Sequence, residues 1–225
     1  ATCRGGSKWT RSIVDYAAVA QAMARDVAAA GGTIRTATRV LRVREEAGGW
    51  LVLTTGGEVR AARLVNCGGL HADRLGRLSG DRPGVQIVPF RGEYYTLVPE
   101  RSSLVNGLVY PVPDPAMPFL GIHFTKMLGG GVQVGPNAVL ALKREGYRRG
   151  EVSWRDVMEL VASPGVWRMA ARYWRAGLTE LWRSLSTQAF VRAAQRLVPA
   201  VEAADLVLCA SGVRAQAVAA DGALV

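Results

Sequence analysis

Lysine is nearly absent from this 225-residue chain: Lys8, Lys126 and Lys143 are the only three among 28 basic residues. The rest of the positive charge is arginine, and it sets a net charge of +10 and a sequence pI near 10.2. Such a balance invites a nucleic-acid partner. The arginines, however, are scattered through predicted strands and helices with no helix-turn-helix, zinc-finger or RNA-recognition pattern beside them, so no nucleic-acid partner is expected. A small dicarboxylate or an anionic lipid surface uses dispersed arginine better. Cysteine is just as sparse. Cys3, Cys67 and Cys209 are odd in number and far apart, which supports neither a disulfide framework nor a metal site and fits a reducing cytoplasm. No apolar run approaches the roughly 20 residues that cross a bilayer, and no charged-then-apolar leader is present. The expectation is a cytoplasmic protein, either soluble or peripheral on the inner membrane. Missing too is any Gly-x-Gly-x-x-Gly, the spacing that seats a dinucleotide pyrophosphate on a helix N-terminus. The nearest candidate, Gly129-Gly130-Gly131 to Gly135, has the wrong spacing and leads into Pro136, so it reads as a turn.

What the chain does have is 49% hydrophobic content, enough for a sizeable core in one or two domains. Asp15 caps a predicted helix over residues 16–30, in which Val19, Met23 and Val27 recur at helical spacing before Gly31-Gly32 ends it. Residues 33–38, 40–45, 50–55 and 58–60 read as short strands, with turns at Ala47-Gly48-Gly49 and Gly56-Gly57. Residues 63–67 read as a buried-type strand that ends in Gly68-Gly69 and opens onto a helix over 71–78. From 85 to about 139, β-rich runs alternate with glycine and proline turns, as in an antiparallel sheet. Residues 153–198 turn helical, with Ser163-Pro164 starting one helix, Gly177 interrupting and Pro199 stopping the last. A strand over 205–210 then leads to a turn at Gly212. The fold class is mixed α/β, of α+β character, without internal repeats.

Three segments carry a family likeness: Ile87-Val88-Pro89-Phe90-Arg91-Gly92-Glu93-Tyr94-Tyr95, Leu64-Val65-Asn66-Cys67-Gly68-Gly69-Leu70-His71, and Gly212-Val213-Arg214-Ala215-Gln216. Together they resemble the flavin-facing loops of the FAD-dependent oxidoreductases of the D-amino-acid oxidase superfamily. Tyr110-Pro-Val-Pro-Asp-Pro, Gly121-Ile-His-Phe-Thr and the run from Gly135-Pro-Asn to Lys143-Arg-Glu-Gly-Tyr147 are similar to the branch of that superfamily that oxidises L-2-hydroxyglutarate. The likeness runs from about Ile13 to Val225 and is least diagnostic in the helical stretch after Val152. It implies a two-domain fold: an incomplete Rossmann-like FAD domain in residues 1–84, an antiparallel-sheet substrate domain with a helical insertion in 85–200, and a return to the FAD domain in 201–225. The family opens on the Gly-x-Gly-x-x-Gly turn that this chain lacks, and the chain starts at Ala1 and stops just past a turn at Asp221-Gly222. An internal fragment is therefore expected, inactive by itself and a poor binder of FAD.

The resemblance also assigns residues. Arg214 would present its guanidinium to the substrate carboxylate, a planar two-point match that lysine does not offer; an exposed turn arginine is the competing account. His123 alternates with Ile122 and Phe124 along a predicted strand. A neutral imidazole there would accept the hydroxyl proton as hydride leaves C2 of a 2-hydroxy acid, and a structural histidine at a sheet edge is the alternative. Val40, Cys67, Gly68, Gly69, His71, Gly212 and Val213 are expected along FAD, the glycines leaving it room. His71 doubles as the second candidate base, against a plain role in starting its helix. Arg91 and Gly92 would lie beside the isoalloxazine, where arginine offsets charge on the reduced ring, and Tyr110 would offer its hydroxyl to substrate; packing roles remain open for both. Lys126, Lys143 and Arg144 are candidates for a distal carboxylate. Trp167, Arg168, Arg172, Tyr173, Trp174, Arg175, Trp182 and Arg183 interleave aromatics with arginine, a pattern suited to an anionic lipid surface or a membrane quinone as electron acceptor, although many amphipathic helices look alike.

The function implied is FAD-dependent oxidation of L-2-hydroxyglutarate to 2-oxoglutarate, with electrons passed to quinone or oxygen. Two other readings stand beside it: a related flavoprotein acting on another hydroxy acid, glycerol 3-phosphate or an amino acid, and a non-catalytic basic-aromatic fragment that binds lipid or a partner.

Overall fold

The computed structural model describes residues 13–113 and 119–225. Cys3, Lys8 and the Asp114-Pro115 end of the Tyr110 segment lie outside them. Helix α1 (Tyr16–Ala29) begins where Asp15 accepts hydrogen bonds from the backbone N–H groups of Ala17 and Ala18, at 3.0 and 3.1 Å. It ends at Gly31, whose φ of +81° suits glycine alone. A three-stranded antiparallel sheet follows, β1 (Val40–Glu46), β2 (Gly49–Thr54) and β3 (Gly57–Ala61), with tight turns at Gly48 and Gly57.

Two of the expected strands do not form. Residues 33–38 run as coil with a bend at 36–37, and residues 63–67 run as exposed coil in which Val65 is 81% accessible. An apolar run becomes a buried strand only where a neighbour takes its N–H and C=O groups, and no strand lies beside this one among the described residues. The Gly68-Gly69 junction nonetheless turns as expected, through one 3₁₀ turn (Gly69–His71) into α2 (Ala72–Leu78).

The second sheet is built on β4 (Val85–Leu97). Strand β9 (Leu206–Ala219) pairs along the whole of one edge, antiparallel, from Val85↔Ala219 to Leu97↔Leu206. On the other edge β8 (Val139–Leu140) pairs at Phe90 and Arg91, and β7 (Val132–Gly135) at Tyr95 and Thr96. Strands β6 (His123–Lys126) and β5 (Leu108–Val109) extend the sheet beyond β7. The triple glycine at 129–131 makes the β6–β7 turn, with the Gly130 N–H donating to the Met127 carbonyl at 3.0 Å. Gly212 sits in mid-strand opposite Gly92, not in a turn. The chain can afford a glycine there because the paired ladder, rather than local propensity, holds it extended.

Helices α3 (Trp154–Val161), α4 (Pro164–Leu185) and α5 (Thr187–Ala194) each start at a serine, Ser153, Ser163 and Ser186, whose hydroxyl accepts the N–H three residues on. Gly177 does not interrupt α4; the irregular residue is Tyr173, at φ −113° and ψ 16°. One core forms where Phe190 and Val191 of α5 pack on Tyr95, Phe124 and Val134 of the sheet. A second gathers Val88, Leu160, Val166, Met169 and Val218 between β4, β9 and the helices.

Candidate active site

Strand alternation decides what reaches the site. Phe90, Gly92 and Tyr94 project from one face of β4 into a cavity of about 1030 Å³, which Gly212, Val213 and Arg214 of β9 also line. His123 reaches the same cavity from β6, while its neighbours Ile122 and Phe124 are buried on the far face. The period of two read from the sequence therefore places His123 as expected. Helix α4 closes the opposite wall with Tyr173, Trp174, Leu178 and Leu181.

His123 is held on two sides. Its Nδ1 lies 3.0 Å from the Gly121 carbonyl, and since a carbonyl only accepts, Nδ1 carries the proton and Nε2 keeps the lone pair. The Tyr110 ring stacks on it at 4.3 Å and 17°, fixed in turn by a 3.2 Å contact between its hydroxyl and that of Thr125. Burial disfavours the imidazolium and pushes the His123 pKa below its ordinary 6.5, with the Gly121 carbonyl partly opposing. The ring is thus neutral at neutral pH. Tyr94, to which the sequence assigned no role beyond its place in the 87–95 segment, shares the wall; burial and the nearby Tyr110 raise its pKa, so it stays a hydroxyl donor. Arg214 extends from β9 opposite Phe90 and lies over the Phe119 ring at 5.3 Å.

The other expected site residues are elsewhere. Arg91 alternates away from the cavity: its guanidinium donates to the Arg148 carbonyl at 3.1 Å and to Glu93 at 3.2 Å. Glu93, 2% exposed, also accepts from Arg149, Ser184 and Asn137. Burial raises its pKa, but these bonds outweigh it and hold the carboxyl below the usual range. Lys143 pairs with Glu151 at 3.6 Å, and Lys126 donates to the Ser102 carbonyl. Arg144, 2% exposed, is bound to Asp73 and Glu159. None of the three lines the cavity; the other guanidinium that does is Arg183, paired with Glu180. The charge-rich spelling of residues 143–147 hid which arginine would be buried, since that depends on partners 71 and 15 residues away.

The glycines separate by what a side chain would meet. A Cβ on Gly68 would strike Leu75 at 2.3 Å and one on Gly92 would strike Pro136 at 2.7 Å, so these two serve internal packing. Gly69, at φ +52°, would meet nothing within 4 Å, and Gly212 only Tyr94 at 3.9 Å. These two leave room beside the backbone. Val40 opens β1 half-buried, Cys67 is an exposed free thiol, and His71 lies 3.0 Å from Glu145. The His71 ring is engaged away from the cavity.

One cavity thus brings together the Arg214 guanidinium, the neutral His123 imidazole and open backbone at Gly212. Residues 2–225 match the family described as FAD dependent oxidoreductase (DAO). The chain belongs to that family. L-2-hydroxyglutarate dehydrogenase of Escherichia coli O17:K52:H18 (strain UMN026 / ExPEC) is 47% identical over 214 residues, covering 95% of this chain and 51% of that protein. The mitochondrial L-2-hydroxyglutarate dehydrogenase of Homo sapiens is 40% identical over 225 residues, covering 95% and 49%. The chain thus spans about half the length of the curated relatives it matches. Among solved structures, the dithionite-reduced, FAD-bound L-alpha-glycerophosphate oxidase of Mycoplasma pneumoniae is similar at a TM-score of 0.61 and 17% identity, over 88% of this chain and 43% of that one. That similarity supports the fold.

The cavity, at about 1030 Å³, stands at the upper end of the range for sites that enclose a drug-sized ligand, about 300–1000 Å³, so it has room for part of the family's cofactor, while Val40, Cys67, Gly69 and His71 lie outside its lining.

Proposed function

We propose that the protein carrying this chain oxidises L-2-hydroxyglutarate to 2-oxoglutarate with FAD, and that residues 1–84 and 201–225 serve its FAD side while 85–200 serve its substrate side. The observation that carries the reading is the single cavity wall on which His123, Arg214 and Gly212 meet. The relatives' names supply the substrate. FAD, when bound, supplies the hydride acceptor. Gly212 and Val213 would back its ring, with Gly69, Cys67 and Val40 toward its other end. Arg214 takes the C1 carboxylate in two parallel N–H bonds. His123 would take the C2 hydroxyl proton on Nε2 as the hydride leaves C2, so that no positive charge builds on that carbon. Tyr110 holds the His123 ring instead of touching substrate. Leu178, Leu181 and Phe119 keep the wall apolar, which strengthens the charged contacts inside.

The exposed faces of α3 and α4 favour one addition. Trp154, Met158 and Val161 recur along α3, and Trp167, Trp182 and Leu185 lie along α4 outside the cavity lining, all exposed, with Arg168, Arg172 and Arg175 on the same helix. No described helix is long and apolar enough to cross a membrane. The stripe suits a cytoplasmic enzyme that rests on anionic lipid and delivers electrons to a quinone.

The test of the reaction is anaerobic mixing of the FAD-loaded protein with candidate acids. L-2-hydroxyglutarate should bleach the visible flavin band, and a 2-hydroxy monocarboxylate should do so at least about 10-fold less efficiently, the cost of one lost charged contact. No bleaching by L-2-hydroxyglutarate, with bleaching by an amino acid or glycerol 3-phosphate, overturns the assignment.

A further inference from the structure

Away from the cavity, five charged side chains form a buried cluster that the reaction does not use. Its centre is Arg144. One guanidinium nitrogen donates to the Leu70 carbonyl at 2.6 Å, inside the 3₁₀ turn that follows Gly68. The other donates to Asp73 Oδ2 at 2.8 Å and Glu159 Oε2 at 3.0 Å, while the Arg144 backbone N–H donates to Asp156 at 2.9 Å. Arg74, next along α2, is bound to Asp156 and to Glu159, the latter at 2.8 Å. Asp73 accepts the backbone N–H of Ile87 at 3.2 Å, which adds the start of β4. Beside this, Glu145 reaches His71 at 3.0 Å. Two consecutive residues of the β8–α3 connection therefore grip the Gly68–Asp73 segment, one through a side chain and the other through a backbone carbonyl.

A bond to a turn's own carbonyl fixes its backbone, and that turn contains Gly69, the glycine whose Cβ direction is open. Stability alone does not call for this arrangement, because buried ion pairs seldom outperform packed apolar residues of the same volume. We infer that Arg144 is a positioning residue for cofactor binding: it ties the Gly68–His71 turn to the sheet and helices that carry the cavity, so that both ends of FAD meet surfaces in fixed register. The inference rests on the reading of that turn as an FAD contact.

The experiment measures Tm and the Kd for FAD, by flavin fluorescence titration, for three variants of the protein that carries this chain. Arg144→Lys keeps the charge but loses the planar fork that serves three partners at once; Kd should rise about 10-fold or more, the scale of a lost charge-assisted bond, and kcat should return at saturating FAD. Arg74→Lys disturbs the same cluster without touching the turn carbonyl, so Kd should stay within about threefold at a comparable loss of Tm. Gly69→Asn puts a side chain on the turn surface with a residue that tolerates the Gly69 φ of +52° and should weaken FAD. If Gly69→Asn weakens FAD while Arg144→Lys does not, or if Arg144→Lys and Arg74→Lys weaken it equally, Arg144 is structural and the inference falls by itself. If Gly69→Asn leaves Kd unchanged, the turn is no FAD contact and both readings fall.

Discussion

Arg214 and Arg91 sit on adjacent strands, one residue out of register with each other, and the parity of the pleat gives them opposite fates. Arg214 faces the cavity; Arg91 faces a buried glutamate. A guanidinium that binds a carboxylate by two parallel bonds is poorly replaced by an ammonium. In the FAD-loaded protein Arg214→Lys should therefore raise KM for L-2-hydroxyglutarate and lower kcat/KM by about 10- to 100-fold, with flavin content unchanged. Steady-state kinetics decide it, and unchanged constants would remove Arg214 from the site. The side of the strand that His123 takes was readable because Gly121 to Thr125 alternates; Arg214 reads in sequence as lying in a turn, whereas it stands in the middle of β9, whose pairing with β4 turns it to the cavity. The roles of Gly68 and Gly92 were not readable, since adjacent letters do not reveal that Leu75 and Pro136 crowd them.

Elements with a local cause were equally legible. The Asp15 cap, the Ser163-Pro164 start of α4 and the glycine turns of both sheets follow from neighbours within three or four residues; the Ser153 and Ser186 caps, which obey the same rule, were not picked out. Residues 63–67 were misread because strand formation is not local: the apolar spelling was right and the partner is lacking among the described residues. Helix α4 shows both sides. Its buried face packs Val166 and Met169 into the core, whereas the tryptophans outside the cavity lining, Trp167 at 60% and Trp182 at 58% exposure, have aqueous surroundings that their size disfavours. If that face meets lipid, sedimentation with vesicles containing anionic phospholipid should be strong and salt-sensitive, and Trp167→Ala with Trp182→Ala should reduce it several-fold while leaving Tm near wild type. Equal sedimentation of the double variant would assign the stripe to something other than a membrane.

At the scale of the whole molecule, the cavity exists because one long strand pair, β4 and β9, sets Phe90, Gly92 and Tyr94 beside Gly212 and Arg214, and β6 delivers His123 to it across β7. The central claim is that His123, neutral and aimed from β6, accepts the substrate proton. Its folded pKa lies below its ordinary value of 6.5, so the base is fully competent above that pH and is lost as pH falls through the lowered value. The direct measurement is the rate of flavin reduction by L-2-hydroxyglutarate, followed by rapid anaerobic mixing across pH, in the wild-type protein and in His123→Gln. The wild-type rate should hold at neutral pH and decline on an acid limb that lies below 6.5. His123→Gln should reduce about 10²- to 10⁴-fold more slowly, the usual contribution of a general base, and show no such limb. A His123→Gln protein that keeps both the rate and the limb, while His71→Gln loses them, would contradict the account and place the proton acceptor beside Gly69.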